Sequence, residues 1–162
     1  MVQMKTLVPM TGIQLALRAS VAAGLSLAIA QFLQLQFPIY ALIAAIIVTD
    51  LSPAESIRLG WRRLVATVIG AACGATLSMV LPATSWAIGL SILVAMFVCH
   101  LVGTPEVVRV AGYTSAIVAF SYGVDPWHYA FYRLIETGLG ICVAWVISYV
   151  PKLMRAETSH PP

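Results

Sequence analysis

Three arginines stand within or at the mouth of long apolar runs: Arg18, Arg63 and Arg133. A guanidinium is a permanent cation whose planar fork of donors fits a carboxylate, so arginines placed there suit the binding or passage of organic anions. A long side chain that snorkels to lipid headgroups is the better account of any single such arginine. Arg63 and Arg133, however, recur in one pattern. Each is followed at once by Leu, four residues on by Thr (Thr67, Thr137) and seven residues on by Gly (Gly70, Gly140). The two threonines therefore join the three arginines as candidates for an anion pathway. Glu136 lies one turn after Arg133 on the same helix face. It reads either as a proton carrier or as the i,i+3 partner that neutralises Arg133.

Other reactive residue types carry less. Cys73, Cys99 and Cys142 all fall inside apolar runs, without metal-ligand spacing, and read as small packing residues. His100 and His128 read as residues of span ends. No phosphate-binding loop, zinc-protease motif or nucleophile elbow is present, so neither a metal nor a cofactor is expected, and the chain does not read as an enzyme. Gly70-x-x-x-Gly74 and Gly140-x-x-x-Ala144 are small-residue pairs that let helices approach closely, here within one bundle.

The elements that position these residues follow from composition. Hydrophobic residues make up 60% of the chain and charged ones 9%, with mean hydropathy +0.94. A soluble surface needs roughly 25% charged residues, so the expected fold is an all-α integral membrane protein embedded in a lipid bilayer. Six transmembrane helices of about 20 residues use up nearly the whole length. The first runs from about Ile13 to Leu35; its apolar stretch continues past the small-residue site at Ala28–Ala30, which favours a retained span over a signal peptide. Pro38 opens the second, which ends near Asp50. Ser52-Pro53-Ala54-Glu55 is a helix start in which Ser52 caps and Glu55 completes a capping box. The third span stops before Pro82, and the fourth covers Thr84 to about Cys99. Thr104-Pro105-Glu106 starts the fifth, and Asp125-Pro126 starts the sixth, which Pro151 terminates. Residues 1–151 are thus one six-span module, and 152–162 a short polar tail.

Six spans place Lys5, Arg58, Arg62, Arg63, Arg109, Lys152 and Arg155 on one side and Arg133 on the other, with Arg18 early in span 1. By the positive-inside rule both termini are cytoplasmic, in a plasma (bacterial inner) membrane. Basic residues beside apolar segments set topology, and no nucleic-acid partner is expected.

A shift of seventy positions aligns residues 63–70 with 133–140 and brings Arg, Leu, Thr and Gly into coincidence, with Ala66 opposite Glu136. Three spans per half is an odd number, so the halves form a 3+3 inverted repeat. Such repeats, with unusually short spans at matching places, point to a transport pathway where the halves meet. Spans 2 and 5 are the short ones, near Ile39–Thr49 and Val110–Ala119.

The pattern Arg63-x-x-Ala66-Thr67-x-x-Gly70-Ala71-x-x-Gly74, with Phe37-Pro38-Ile39-Tyr40-Ala41-Leu42-Ile43 opening span 2, resembles the fusaric acid resistance and aromatic acid exporter-like family. The resemblance covers roughly residues 18–151 and extends to the plant aluminium-activated malate channels. It implies efflux of aromatic carboxylic acids, or passive anion flow as in the plant channels. The family often has Gly where Ala66 stands, and its larger exporters carry two membrane modules and soluble domains. A single module implies a homodimer or higher homo-oligomer. The rival reading is a non-transporting membrane subunit that docks into a larger complex through its small-residue faces.

Overall fold

The computed structural model describes residues 10–82, 84–103, 105–121 and 125–150. These form six α-helices and one short 3-10 turn, with no strand among them: α1 (Met10–Phe32), α2 (Ile39–Val48), α3 (Pro53–Val80), α4 (Ser85–Leu101), the turn Pro105–Val107, α5 (Val108–Ala119) and α6 (Pro126–Ser148). Lys5, the cap expected at Thr104, the stop at Pro151 and the 152–162 tail with Lys152 and Arg155 lie outside the described residues.

Helix limits have local causes. α1 ends at Phe32, earlier than the expected Leu35, because Gln34 turns into the left-handed region (φ 52°). That reversal lets the Leu35 amide donate to the Ala30 carbonyl at 3.0 Å, closing the helix end as a Schellman turn does. Proline opens both α3 and α6 at a position where its missing N–H costs nothing. The Asp125 side chain accepts the Trp127 amide at 3.0 Å and caps α6. Ser52 does not cap α3 as expected. Its amide donates to Asp50 Oδ1 at 3.0 Å in an Asx turn, and Glu55 instead holds Arg58 at 2.7 Å.

α1, α3 and α6 are long and apolar enough to cross a membrane. Their 23, 28 and 23 residues rise about 35–42 Å at 1.5 Å per residue, more than the roughly 30 Å of bilayer hydrocarbon. α4, with 17 residues, rises about 25 Å. α2 and α5, with 10 and 12, rise only about 15–18 Å.

α3 and α6 cross antiparallel at the centre. Ser56 and Ser148 share a hydroxyl hydrogen bond of 2.7 Å at one end, and Trp145 Nε1 donates to the Ser56 carbonyl at 3.0 Å. At the other end Trp127 Nε1 donates to Met79 Sδ at 3.2 Å. α5 lies parallel to α3, with Gly70 against Ala111 and Thr114, and Gly74 against Ser115 and Val118. α2 lies parallel to α6, with Gly140 against Ala41 and Ala44. A Cβ at Gly70 or Gly140 would meet the facing backbone carbonyl closer than 3.0 Å, so only glycine permits either approach. α1 covers α2 and α6, and α4 covers α3 and α5, where Ser91 and Ser115 bond across the seam.

The interior is built from small residues. Ala22, Ala41, Ala45, Ala66, Ala75 and Ala144 are all buried. Large side chains such as Leu25, Trp61, Trp86, Phe97, Phe131 and Val146 point outward. That inverts a water-soluble core and fits lipid, where helix association rests on close packing and interhelical hydrogen bonds.

Candidate functional site

The antiparallel register fixes the depth of the two central arginines. Arg63 lies ten residues past Pro53, about 15 Å along α3, and Arg133 seven past Pro126, about 10 Å along α6. Pairing Ser56 with Ser148 puts Arg63 level with residue 141, eight residues or about 12 Å from Arg133 along the crossing. Both therefore flank the middle of the bundle instead of standing at its opposite mouths. Their residues are 3% and 4% exposed. Nε and Nη1 of each are buried without a hydrogen-bond partner. A snorkelling anchor keeps its cation in water or among headgroups. These two do not.

Arg133 is held from one face. Its Cζ stands 3.1 Å above the Tyr40 ring, a cation–π contact between α6 and α2. The Tyr40 hydroxyl shares a 3.1 Å hydrogen bond with that of Tyr129, whose ring centroid is 4.8 Å from that of Phe37. These three aromatics form one wall of a cavity of about 600 Å³, completed by Ile117, Phe120 and Ser121. It opens at the end where α6 begins and α5 stops. Arg133 lies behind its wall.

Glu136 is fully buried. Oε1 accepts the Phe37 amide at 2.7 Å, while Oε2 has no partner. The ion pair expected with Arg133 does not form; among the described residues the ion pairs are Glu55–Arg58 and Arg62–Glu106. The reason is local: the Phe37 amide, just ahead of α2, would otherwise be buried without an acceptor.

Arg63 has a different neighbourhood. The Tyr113 hydroxyl on α5 approaches it without good hydrogen-bond geometry and is itself buried and unpartnered. Thr67 donates to the Arg63 carbonyl at 2.8 Å, so its proton is committed to its own helix. Thr137 is buried at the matching point of α6. Arg18 stands apart: its Nη1 donates to the Leu51 carbonyl at 3.1 Å, which ties α1 to the α2–α3 turn. Gly70 and Gly74 face α5, Gly140 faces α2, and Ala144 is buried with Val48 and Ile141. His100 and His128 are exposed, and His128 meets Tyr132 edge-on at 4.8 Å. No cluster of potential metal ligands occurs among the described residues.

The structure buries Arg63, Arg133, Glu136 and both threonines on α3 and α6, and ties Arg18 instead to the α2–α3 turn. The family's model matches residues 25–147, described as fusaric acid resistance protein-like. The chain belongs to the fusaric acid resistance protein-like family. No curated protein and no solved structure matches it. The matched stretch holds both central arginines, Glu136 and the aromatic wall, and excludes Arg18. Family and apolar helices together make this a multi-pass membrane protein.

Sequence reasoning missed Tyr113 and Tyr129 and used Tyr40 only as part of a motif. A usable signal existed. A short span needs few bulky residues for packing, so tyrosines within or beside α2 and α5 mark places where a polar tip is wanted.

Proposed function

We propose that the chain is a membrane transport module for organic anions, aromatic carboxylic acids foremost, working in efflux. One observation carries this reading: two buried guanidiniums with unpaired donors lie near the middle of an apolar bundle. A buried charge without a partner destabilises a protein by several kcal/mol, so such groups persist where something else supplies the counter-charge. A passing carboxylate supplies it, with two oxygens for the forked donor. The aromatic-walled cavity beside Arg133 offers a matching surface for a ring.

Six crossings in a 3+3 inverted repeat account for the rest. Helices α3 and α6 carry the matching Arg–Thr–Gly sets and run antiparallel, as an inversion requires. The partners of Gly70 (Ala111, Thr114) and of Gly140 (Ala41, Ala44) differ by the same seventy positions. The short α2 and α5 flank the centre, where they thin the barrier that an anion must pass.

Arg58 and Arg109 lie in the first turns of the parallel helices α3 and α5, and Arg62 reaches Glu106 at the same end, which the positive-inside rule assigns to the cytoplasm of a bacterial inner membrane. Both termini are then cytoplasmic, and a probe at Ser85→Cys reacts from outside only; reaction from the cytoplasm alone reverses the topology. The module works as a homodimer or higher homo-oligomer, since the larger exporters it resembles carry two such membrane modules.

Carboxylate flux into proteoliposomes tests the function. Loss of a charged hydrogen bond, about 1.5–3 kcal/mol, lowers anion affinity roughly ten- to a hundredfold in Arg63→Gln and in Arg133→Gln, with partial rescue by lysine. Unchanged flux in both folded variants rejects the pathway and favours a non-transporting subunit.

A further inference from the structure

Glu136 is the acid within the bundle interior among the described residues. The other acids are engaged at helix ends: Asp50 with the Ser52 amide, Glu55 with Arg58, Glu106 with Arg62 and Asp125 with the Trp127 amide. Around Glu136 stand Arg133 on its own helix, the Phe37 amide and Tyr40 from the α2 side, and Tyr129 from the first turn of α6. Arg63 on α3 and Tyr113 on α5 complete the set that acts on Arg133. With Glu136 ionised, two guanidiniums and one carboxylate give this interior a net charge of +1.

Resting on the transport reading, we propose that Glu136 is a charge filter: it limits the pathway to monovalent anions and holds back divalent ones. The Phe37 amide donates to Oε1 at 2.7 Å and holds the side chain within the bundle, one turn from Arg133; the filter acts in the ionised form of that side chain. Its second oxygen is buried and has no donor. A monoanion entering between the arginines brings the interior to neutrality. A dianion leaves it at −1, with the surplus charge close to an oxygen that nothing screens. In a medium of low dielectric such like-charge proximity excludes a ligand strongly. The other segment has Ala66 at the equivalent position, so the filter stands at the Arg133 side alone.

Benzoate and phthalate provide a matched pair, one ring with one or two carboxylates. Their fluxes at neutral pH are measured in proteoliposomes of the full chain, for wild type, Glu136→Gln and Glu136→Asp. Glutamine keeps an acceptor for the Phe37 amide and removes the charge; aspartate keeps the charge and shortens the reach. The wild type favours benzoate. Glu136→Gln raises the phthalate-to-benzoate ratio about tenfold or more, and Glu136→Asp stays near the wild-type ratio. An unchanged ratio in Glu136→Gln, against robust wild-type benzoate flux, overturns the filter and leaves transport standing. A Glu136→Asp ratio equal to that of Glu136→Gln also overturns it, because shape and not charge then discriminates. Wild-type protein that carries neither anion refutes the transport reading and the filter with it.

Discussion

Arg63 and Arg133 occupy matching points on two antiparallel helices, yet little about their surroundings is alike. Around Arg133 an aromatic wall from α2 and α6 holds the cation by its face, a carboxylate stands one turn away, and a cavity of about 600 Å³ lies beyond the wall. Around Arg63 there is one phenol, Tyr113, with no bond of its own, and the neighbouring Arg62 pairs with Glu106 at the rim. The backbone beneath does not share this difference. Gly70 against Ala111 and Gly140 against Ala41 are the same contact seventy residues apart. Packing is duplicated and chemistry is not. Close packing leaves few sequences that fit, so both segments keep glycine at that contact. The side chains around each cation had no such restriction.

The shared packing is the easier claim to break, and its effect is the largest expected. Gly70→Ala and Gly140→Ala each put a Cβ against a backbone carbonyl, which no rotamer change can relieve. Overpacking of this kind destabilises by about 1–3 kcal/mol. Both variants therefore melt earlier in detergent, by similar amounts. Gly138→Ala and Gly24→Ala, whose Cβ positions meet nothing within 4 Å, stay at or slightly above wild type. A large loss in Gly140→Ala alone would show that the two segments do not share one skeleton.

How much of this was legible in the sequence depends on the kind of signal. Helix limits were readable to within a few residues because proline fixes them from one side: Pro53 and Pro126 stand at the first turns of α3 and α6. The Arg–Thr–Gly spacing pointed to α3 and α6, the two helices that cross at the centre, because glycine recurs where each approaches a short helix, α5 or α2. The Ser52 cap was misread because Ser, Asp and Glu in one turn offer several bonding patterns, and Asp50 took the amide first. The partner of Arg18 was not legible for a related reason: only tertiary structure brings the Leu51 carbonyl within its reach. The depth of Arg63 and Arg133 could not be read from sequence either. It depends on where α3 and α6 cross, which the contacts of Ser56 with Ser148 and Trp127 with Met79 decide.

The contrast between the two cations narrows to a pair of tyrosines and a smaller effect. Tyr40 is already engaged, through its ring with Arg133 and through its hydroxyl with Tyr129 at 3.1 Å. Tyr40→Phe keeps the ring and loses that interhelical bond, so stability falls by about 0.5–1.5 kcal/mol while anion affinity changes little. Tyr113 is in the opposite state: its hydroxyl is buried near Arg63 and makes no hydrogen bond of good geometry. Removing an unbonded buried hydroxyl takes away no native hydrogen bond, so Tyr113→Phe melts no lower than wild type. If the hydroxyl donates to the anion that Arg63 attracts, the same variant loses that bond in the loaded state only. Apparent anion affinity then falls roughly two- to tenfold, the worth of one hydrogen bond of about 0.5–1.5 kcal/mol. Melting curves and flux titrations on the two variants separate these outcomes. Should Tyr113→Phe lower stability and leave affinity unchanged, its hydroxyl serves the fold. The Arg63 end would then lose its second donor for a passing anion.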